Sequence, residues 1–221
     1  MSLRLRHGKI ELALHTLRAP GGDGTAKPRL LLLHGLGEAS FETLPEELAA
    51  WPGSVHALDF TGHGASSVPR GGGYTAELLM ADADTALAHL GPATVCGRGL
   101  GAYVALLLAG ARPESVRGAI LCDGPGLAGG GSQPLSPFLA SVDAGAVPPP
   151  DPFALMELAR DLRPPDYATA FARQVTHFSG RDQPISVCAV QRPEWLLAVS
   201  EEPGVETRSL AEALAAYSSE A

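Results

Sequence analysis

Three short stretches hold the residues whose types and spacing could do chemistry. They are LLLLHGLG at residues 30–37, LDFTGHGASS at 58–67 and VCGRGLGAYVAL at 95–106. Each begins apolar and runs into a glycine-rich turn, the arrangement that presents a nucleophile or aims backbone N–H groups at an anion. In the third, the apolar run 93–96 delivers the chain into a glycine turn and an amphipathic run leaves it. The apex is Gly99, which has no side chain to present. Covalent acyl transfer needs an oxygen or a sulfur at such a tip.

The elements that must position these turns follow from periodicity. Leu3, Leu5, Ile10, Leu12 and Leu14 alternate around His7-Gly8 and read as a β-hairpin. The continuous apolar run at 30–33 reads as a strand covered on both faces of a parallel sheet, and 55–59, 93–96, 117–122 and 185–190 read as further strands. Helical spacing falls at 41–51, stopped by Pro52-Gly53, at 75–90 with Thr75 as N-cap, and at 100–109. Further helices are expected at 194–201 and 210–217, flanking a last strand at 205–208. Strand and helix thus alternate with short joints, which predicts a doubly wound, mostly parallel α/β sheet behind an N-terminal hairpin. Residues 124–180 change character: glycine- and proline-rich loops wrap two helix candidates, 152–162 and 167–178. We read one domain over 1–221, with 124–180 as a short cap insert.

Composition narrows the partners. A net charge of −8, with acids spread along 221 residues, argues against nucleic acid or an anionic membrane, both of which need a basic face. The start, MSLRLRHGKIE, has no apolar core of signal-peptide length, and the longest apolar run, 102–109, is too short to span a bilayer. The expected location is cytoplasmic. Cys96, Cys122 and Cys188 are widely spaced, with no C-x-x-C pair, and are expected to be buried small residues and not metal ligands.

Taken together, in this order and spacing, the three stretches resemble the α/β-hydrolase family. An apolar strand ends in His34-Gly35; a second ends in a D-x-x-G-x-G-x-S pattern made by Asp59, Gly62, Gly64 and Ser66; and Gly97, Gly99 and Gly101 fall where the elbow G-x-S-x-G would stand. The resemblance implies an α/β-hydrolase-type sheet. It assigns an oxyanion hole to the backbone N–H groups of Leu36 and Leu100, and makes His34 and His63 structural residues of the turns. It puts Gly99 in the seat of the nucleophile. The family's base, a histidine after the last strand, has no counterpart, because the last histidine is His177, inside the insert. The remaining candidates are Asp123 and Glu194 as acids and His177 as base.

The leading reading is therefore a member with a degenerate triad, non-hydrolytic, that binds a small organic or acyl ligand or a protein partner. His34, Leu36, Gly99, Leu100 and Asp123 would line its site, with no metal and no cofactor. An alternative keeps weak hydrolase or lyase activity through the oxyanion donors. It would use a displaced nucleophile such as Ser66 or Ser67 with His34, His63 or His177 as base, Cys96 being expected to point into the core, or a water activated by Asp123, Glu194 or His177. A third uses Gly97, Gly99 and Ala102 as a G-x-G-x-x-G/A fingerprint for a nicotinamide dinucleotide, with Asp123 on its ribose. Phe138, Phe153, Phe171, Phe178 and Trp195 could line an apolar pocket under the insert, although aromatics there more often simply pack.

Overall fold

The computed structural model describes residues 2–21, 27–132 and 149–219. Strands β1 (Ser2–His7) and β2 (Ile10–Arg18) form the expected hairpin, and β2 pairs antiparallel with β4 (Ser54–Asp59). From β4 onward every pairing is parallel. It runs through β3 (Arg29–Leu33), β5 (Ala93–Arg98), β6 (Val116–Cys122), β7 (Ile185–Val187) and β8 (Val205–Thr207). The order across the eight-stranded sheet is β1-β2-β4-β3-β5-β6-β7-β8.

Alternate residues of each strand feed different cores, as the two-residue period of a strand dictates. Leu31, Leu33, Val95, Ala119 and Leu121 face helices α1 (Ala76–Leu90), α2 (Leu100–Ala111), α4 (Pro165–Phe178) and α5 (Glu194–Ser200). Leu30, Leu32, Val55, Ala57 and Ile120 face α6 (Leu210–Ser218) and the segment around Leu48 and Trp51. The first face is thickly covered. Helix α2 is buried on nearly all sides, which explains why its sequence is apolar all round.

The second face is thinly covered, and here the sequence expectation fails. Residues 41–51 form no full helix; only Glu46–Leu48 makes a single 3-10 turn. Phe41, Leu44, Leu48 and Trp51 have helical spacing. Pro45 breaks it, because a proline lacks the N–H and its ring clashes with the preceding turn. Pro45 stands instead in extended conformation before the 3-10 turn.

Strand β7 also ends earlier than expected. The N–H groups of both Cys188 and Ala189 turn to one acceptor, Leu121 O, at 2.8 and 2.9 Å. That leaves Val190 exposed beyond the ladder. Within the insert the described residues form α3 (Pro152–Arg160) and α4, close to the expected helices. The insert is tied down by acids. Glu157 Oε2 accepts from Gly73 N and Tyr74 N at 2.7 Å each, and Asp161 Oδ2 accepts from Ala76 N at 3.0 Å, at the start of α1. Phe138 lies outside the described residues. Trp195 packs edge-on against Tyr103 and Phe171 against Tyr167, whereas Phe153 and Phe178 are exposed and line no pocket described below.

Candidate functional site

Between β3 and β5 the direction of the connections reverses, since β4 lies on one side of the pair and β6 on the other. Open α/β sheets bind ligands in the crevice at the carboxyl ends of such strands. Leu36 follows β3 there, and Gly99 is the turn between β5 and α2. Gly99 has φ 58° and ψ −120°, a conformation that favours glycine. Its neighbours are bare for a packing reason. A Cβ on Gly97 would stand 2.1 Å from Gly101 O, and one on Gly101 would stand 2.4 Å from Leu33 O. The strand-to-helix elbow is complete in backbone.

The two N–H groups of the expected oxyanion hole do converge. They converge on the protein's own oxygen: Leu36 N and Leu100 N both donate to Pro125 O, each at 2.9 Å. The turn Gly124–Gly126 lies directly over the elbow, and Gly99 N donates beside it to Cys122 O, at the end of β6, at 3.0 Å. A Cβ on Gly99 would meet Pro125 O at 2.1 Å and the Gly124 carbonyl carbon at 2.6 Å. A backbone carbonyl thus fills the space in which a nucleophile's side chain would stand and accepts the two bonds that a reacting carbonyl would need. The same turn covers the helix N-terminus, where the dinucleotide reading would place a pyrophosphate, and takes the Leu100 N–H from it.

Among the described residues no acid–base pair comes to this place. Asp123 closes β6 and lines a cavity of about 380 Å³ above the elbow, with Leu36, Arg98 and Pro125. Its carboxylate is engaged elsewhere, accepting from Val190 N at 2.6 Å and Gln191 N at 2.9 Å. Glu194, exposed at the start of α5, borders a separate cavity of about 220 Å³ with Arg163 and Trp195. His177 is exposed in the last turn of α4, its ring edge-on to Phe178. It lines none of these cavities.

The other polar residues of the motifs hold the turns in shape. His34 Nδ1 donates to Gly35 O at 2.8 Å and its Nε2 accepts from Phe60 N at 3.1 Å. Complete burial, followed by the neighbouring His63, pushes the His34 pKa down to about 3. Its lone pair is already used, so it offers no base. His63 accepts from Gly37 N at 3.3 Å and contacts Thr61 O at 3.1 Å, and burial holds it below the ordinary histidine range. Ser66 Oγ donates to Asp59 O at 2.6 Å and accepts from Ala13 N at 2.9 Å, while Ser67 Oγ accepts from Glu11 N at 3.1 Å. The Asp59 carboxylate collects Ala65 N at 2.8 Å, Ser40 N at 2.7 Å and His15 Nε2 at 2.9 Å. Burial alone would raise its pKa; the hydrogen bonds outweigh that and lower it.

Several contributors carried no motif signal. Pro125 acts through a backbone carbonyl, and only the GPG at 124–126 marks it as a turn. Glu38 Oε2 accepts from Gly35 N at 2.9 Å, and its Oε1 accepts from Arg98 Nη1, which clamps the loop after β3 to the elbow. The three cysteines are half-buried and not fully buried as expected. With Leu32, Leu48 and Leu210 they line a cavity of about 470 Å³ on the thinly covered face. Among the described residues no group of three or more His, Cys, Asp or Glu side chains is placed to hold a metal ion. No helix among them is long and apolar enough to cross a membrane.

Sheet order, elbow and paired N–H donors together define an α/β-hydrolase-type fold. The model of the alpha/beta hydrolase family matches residues 30–220, and the chain belongs to that family. Among solved structures it resembles a thioesterase domain from the curacin biosynthetic pathway, at 18% identity and a TM-score of 0.65, over 99% of this chain and 98% of that one. It also resembles a variant of the N-formylmaleamic acid deformylase Nfo from Pseudomonas putida S16, at 16% identity and a TM-score of 0.72, over 95% and 92% of the two chains. A hypothetical protein from Pseudomonas aeruginosa PAO1 is similar at 21% identity, with a TM-score of 0.68 over 98% of each chain. At these identities the likeness is one of fold. No curated protein matches the chain in sequence.

Proposed function

We propose that this protein is a non-hydrolytic member of the alpha/beta hydrolase family, a single domain in which the insert 124–180 supplies the turn that seals the former reaction centre. The observation that carries the reading is the Pro125 carbonyl oxygen, held by Leu36 N and Leu100 N at 2.9 Å each over a residue with no side chain. Hydrolysis through an acyl-enzyme needs a nucleophile, a base to deprotonate it and free donors for the developing oxyanion. Gly99 cannot attack. His34 and His63 are engaged in the turns, and His177 is remote. Both donors already have an acceptor.

The role left to such a fold is binding, and a small organic ligand fits the cavities at the carboxyl end of the sheet. The test is turnover of p-nitrophenyl acetate and p-nitrophenyl butyrate by the purified protein. Release of p-nitrophenol no faster than with an equal mass of an unrelated protein supports the proposal. Saturable turnover that disappears on substitution of Asp123 or His177 contradicts it.

A further inference from the structure

We propose that the ligand site of this protein is not the cavity above the elbow but its neighbour, the thiol-floored cavity that runs from the thinly covered face of the sheet to His34, Arg98 and Asp123 at the strand ends, and that it takes a neutral, mainly apolar aromatic molecule. The cavity measures about 470 Å³, room for roughly fifteen water-sized volumes. It exists because Pro45 prevents a helix over residues 41–51, so coil and one 3-10 turn cover this end of the sheet.

Its floor is set by register. Leu121 pairs with Val187, so Cys122 and Cys188 follow as lateral neighbours on β6 and beyond β7; Cys96 lies diagonally across on β5, where it pairs with Ile120. All three share the face of Leu32 and Ala57, so β3, β4, β5, β6 and the residue after β7 each bring a side chain to the one cavity.

The chemistry of the lining chooses the ligand. The Cys188 thiol is pushed up by its neighbour Cys122 and by burial. Cys122 would be lowered by Cys188, but Cys96 and burial leave it raised. Neutral thiols behave as small, polarizable apolar groups, and sulfur against an aromatic ring is a favourable contact. Phe41, 39% exposed, adds an aromatic surface to the lining.

Among the described residues that line the cavity, the charged groups already have partners or face solvent. Arg98 is paired with Glu38, both oxygens of Asp123 are taken by backbone N–H groups, and both nitrogens of His34 are bonded to the main chain. Glu47, exposed on the 3-10 turn, is screened by solvent and anchors neither an anion nor a cation. A charged ligand would lose hydration here and meet no free group of opposite charge in the described lining, where Ser40 Oγ, without a partner, is neutral.

The proposal takes its purpose from the non-hydrolytic reading, but its test is separate from it. Cys96, Cys122 and Cys188 are the only cysteines in the sequence, so the intact mass after N-ethylmaleimide treatment reports on this cavity alone. The probe is 2-naphthol, with 2-naphthoate and 2-naphthylmethylamine as charged counterparts. Saturating 2-naphthol is expected to slow labelling at least tenfold and to raise the melting temperature in a concentration-dependent way; the charged counterparts should do neither. A folded Ala57→Phe variant, which fills the floor, should lose the thermal shift, and the wild-type comparison stands if that variant does not fold. No thermal shift with 2-naphthol, a shift from a charged counterpart as large as from 2-naphthol, or labelling that proceeds in the free protein and is not slowed by saturating 2-naphthol would each overturn the proposal. Ester turnover alongside naphthol protection would refute the non-hydrolytic reading and leave the cavity standing.

Discussion

The carbonyl oxygen of Pro125 lies 2.1 Å from the point that a Cβ on Gly99 would occupy. The two residues therefore exclude one another: a side chain at 99 and the turn 124–126 cannot share the crevice. A bare residue at 99 and an acceptor already seated on Leu36 N and Leu100 N are two sides of the same contact.

Restoring the hydroxyl should accordingly fail. Gly99→Ser places a non-glycine residue at φ 58° and drives its Cβ into the Pro125 carbonyl. The strained backbone alone costs about 1–3 kcal/mol, to which displacement of the turn adds. Urea denaturation should show the variant less stable than wild type by at least that much, with p-nitrophenyl acetate hydrolysis unchanged. A burst of p-nitrophenol would mean that the turn yields and a base remains within reach.

Acid should destabilise the protein earlier than carboxylates alone would. His34, His63 and His56 are all held below the ordinary value of 6.5, His34 at about 3. Between 6.5 and the native value the unfolded chain binds the proton and the folded one does not, so stability is full above pH 6.5 and falls as the pH drops below it. Each histidine contributes up to about 1.4 kcal/mol per pH unit in that window. Denaturation midpoints should be level from pH 8 to 7 and decline steadily toward pH 5. The decline should be shallower in His34→Gln. A flat profile down to pH 5 would contradict the buried neutral imidazoles.

Asp59→Asn tests the anchoring of the turn after β4. One amide oxygen cannot replace two carboxylate oxygens that accept three donors, and an orphaned buried N–H costs about 1–3 kcal/mol. The native carboxylate is lowered relative to its unfolded value, so its share of stability is present above the ordinary carboxylate pKa and is lost as pH falls through the native one. The variant should be less stable at neutral pH by that amount, and the gap to wild type should narrow below about pH 4. A gap independent of pH would rule out the ionised anchor.

Asp123→Asn should act on the chain and not on chemistry. The amide group leaves either Val190 N or Gln191 N without an acceptor, in a half-exposed setting that limits the cost to about 1 kcal/mol. Hydrogen exchange at Val190 and Gln191 should quicken while exchange within β6 stays unchanged. Unaltered exchange at both amides would show that Asp123 has another task.

The parallel sheet was legible from continuous apolar runs, and the elbow from Gly97 and Gly101, whose bareness has a steric cause that the structure displays in Gly101 O and Leu33 O. The structural work of His34 and His63 followed the family resemblance. Three features were hidden. Residues 41–51 carry a helical period that Pro45 overrides. The cysteines share a face by strand alternation, but alternation cannot tell whether a helix covers that face. The seal over the oxyanion hole is made by a main-chain carbonyl, which every residue possesses and no sequence pattern distinguishes.

The most direct test of a vacated and sealed reaction centre is the intact mass of the protein after incubation with a fluorophosphonate probe, which forms a covalent bond with an activated serine. The account predicts an unshifted mass for the whole population. A stoichiometric adduct on any serine, abolished by prior heat denaturation, would contradict it.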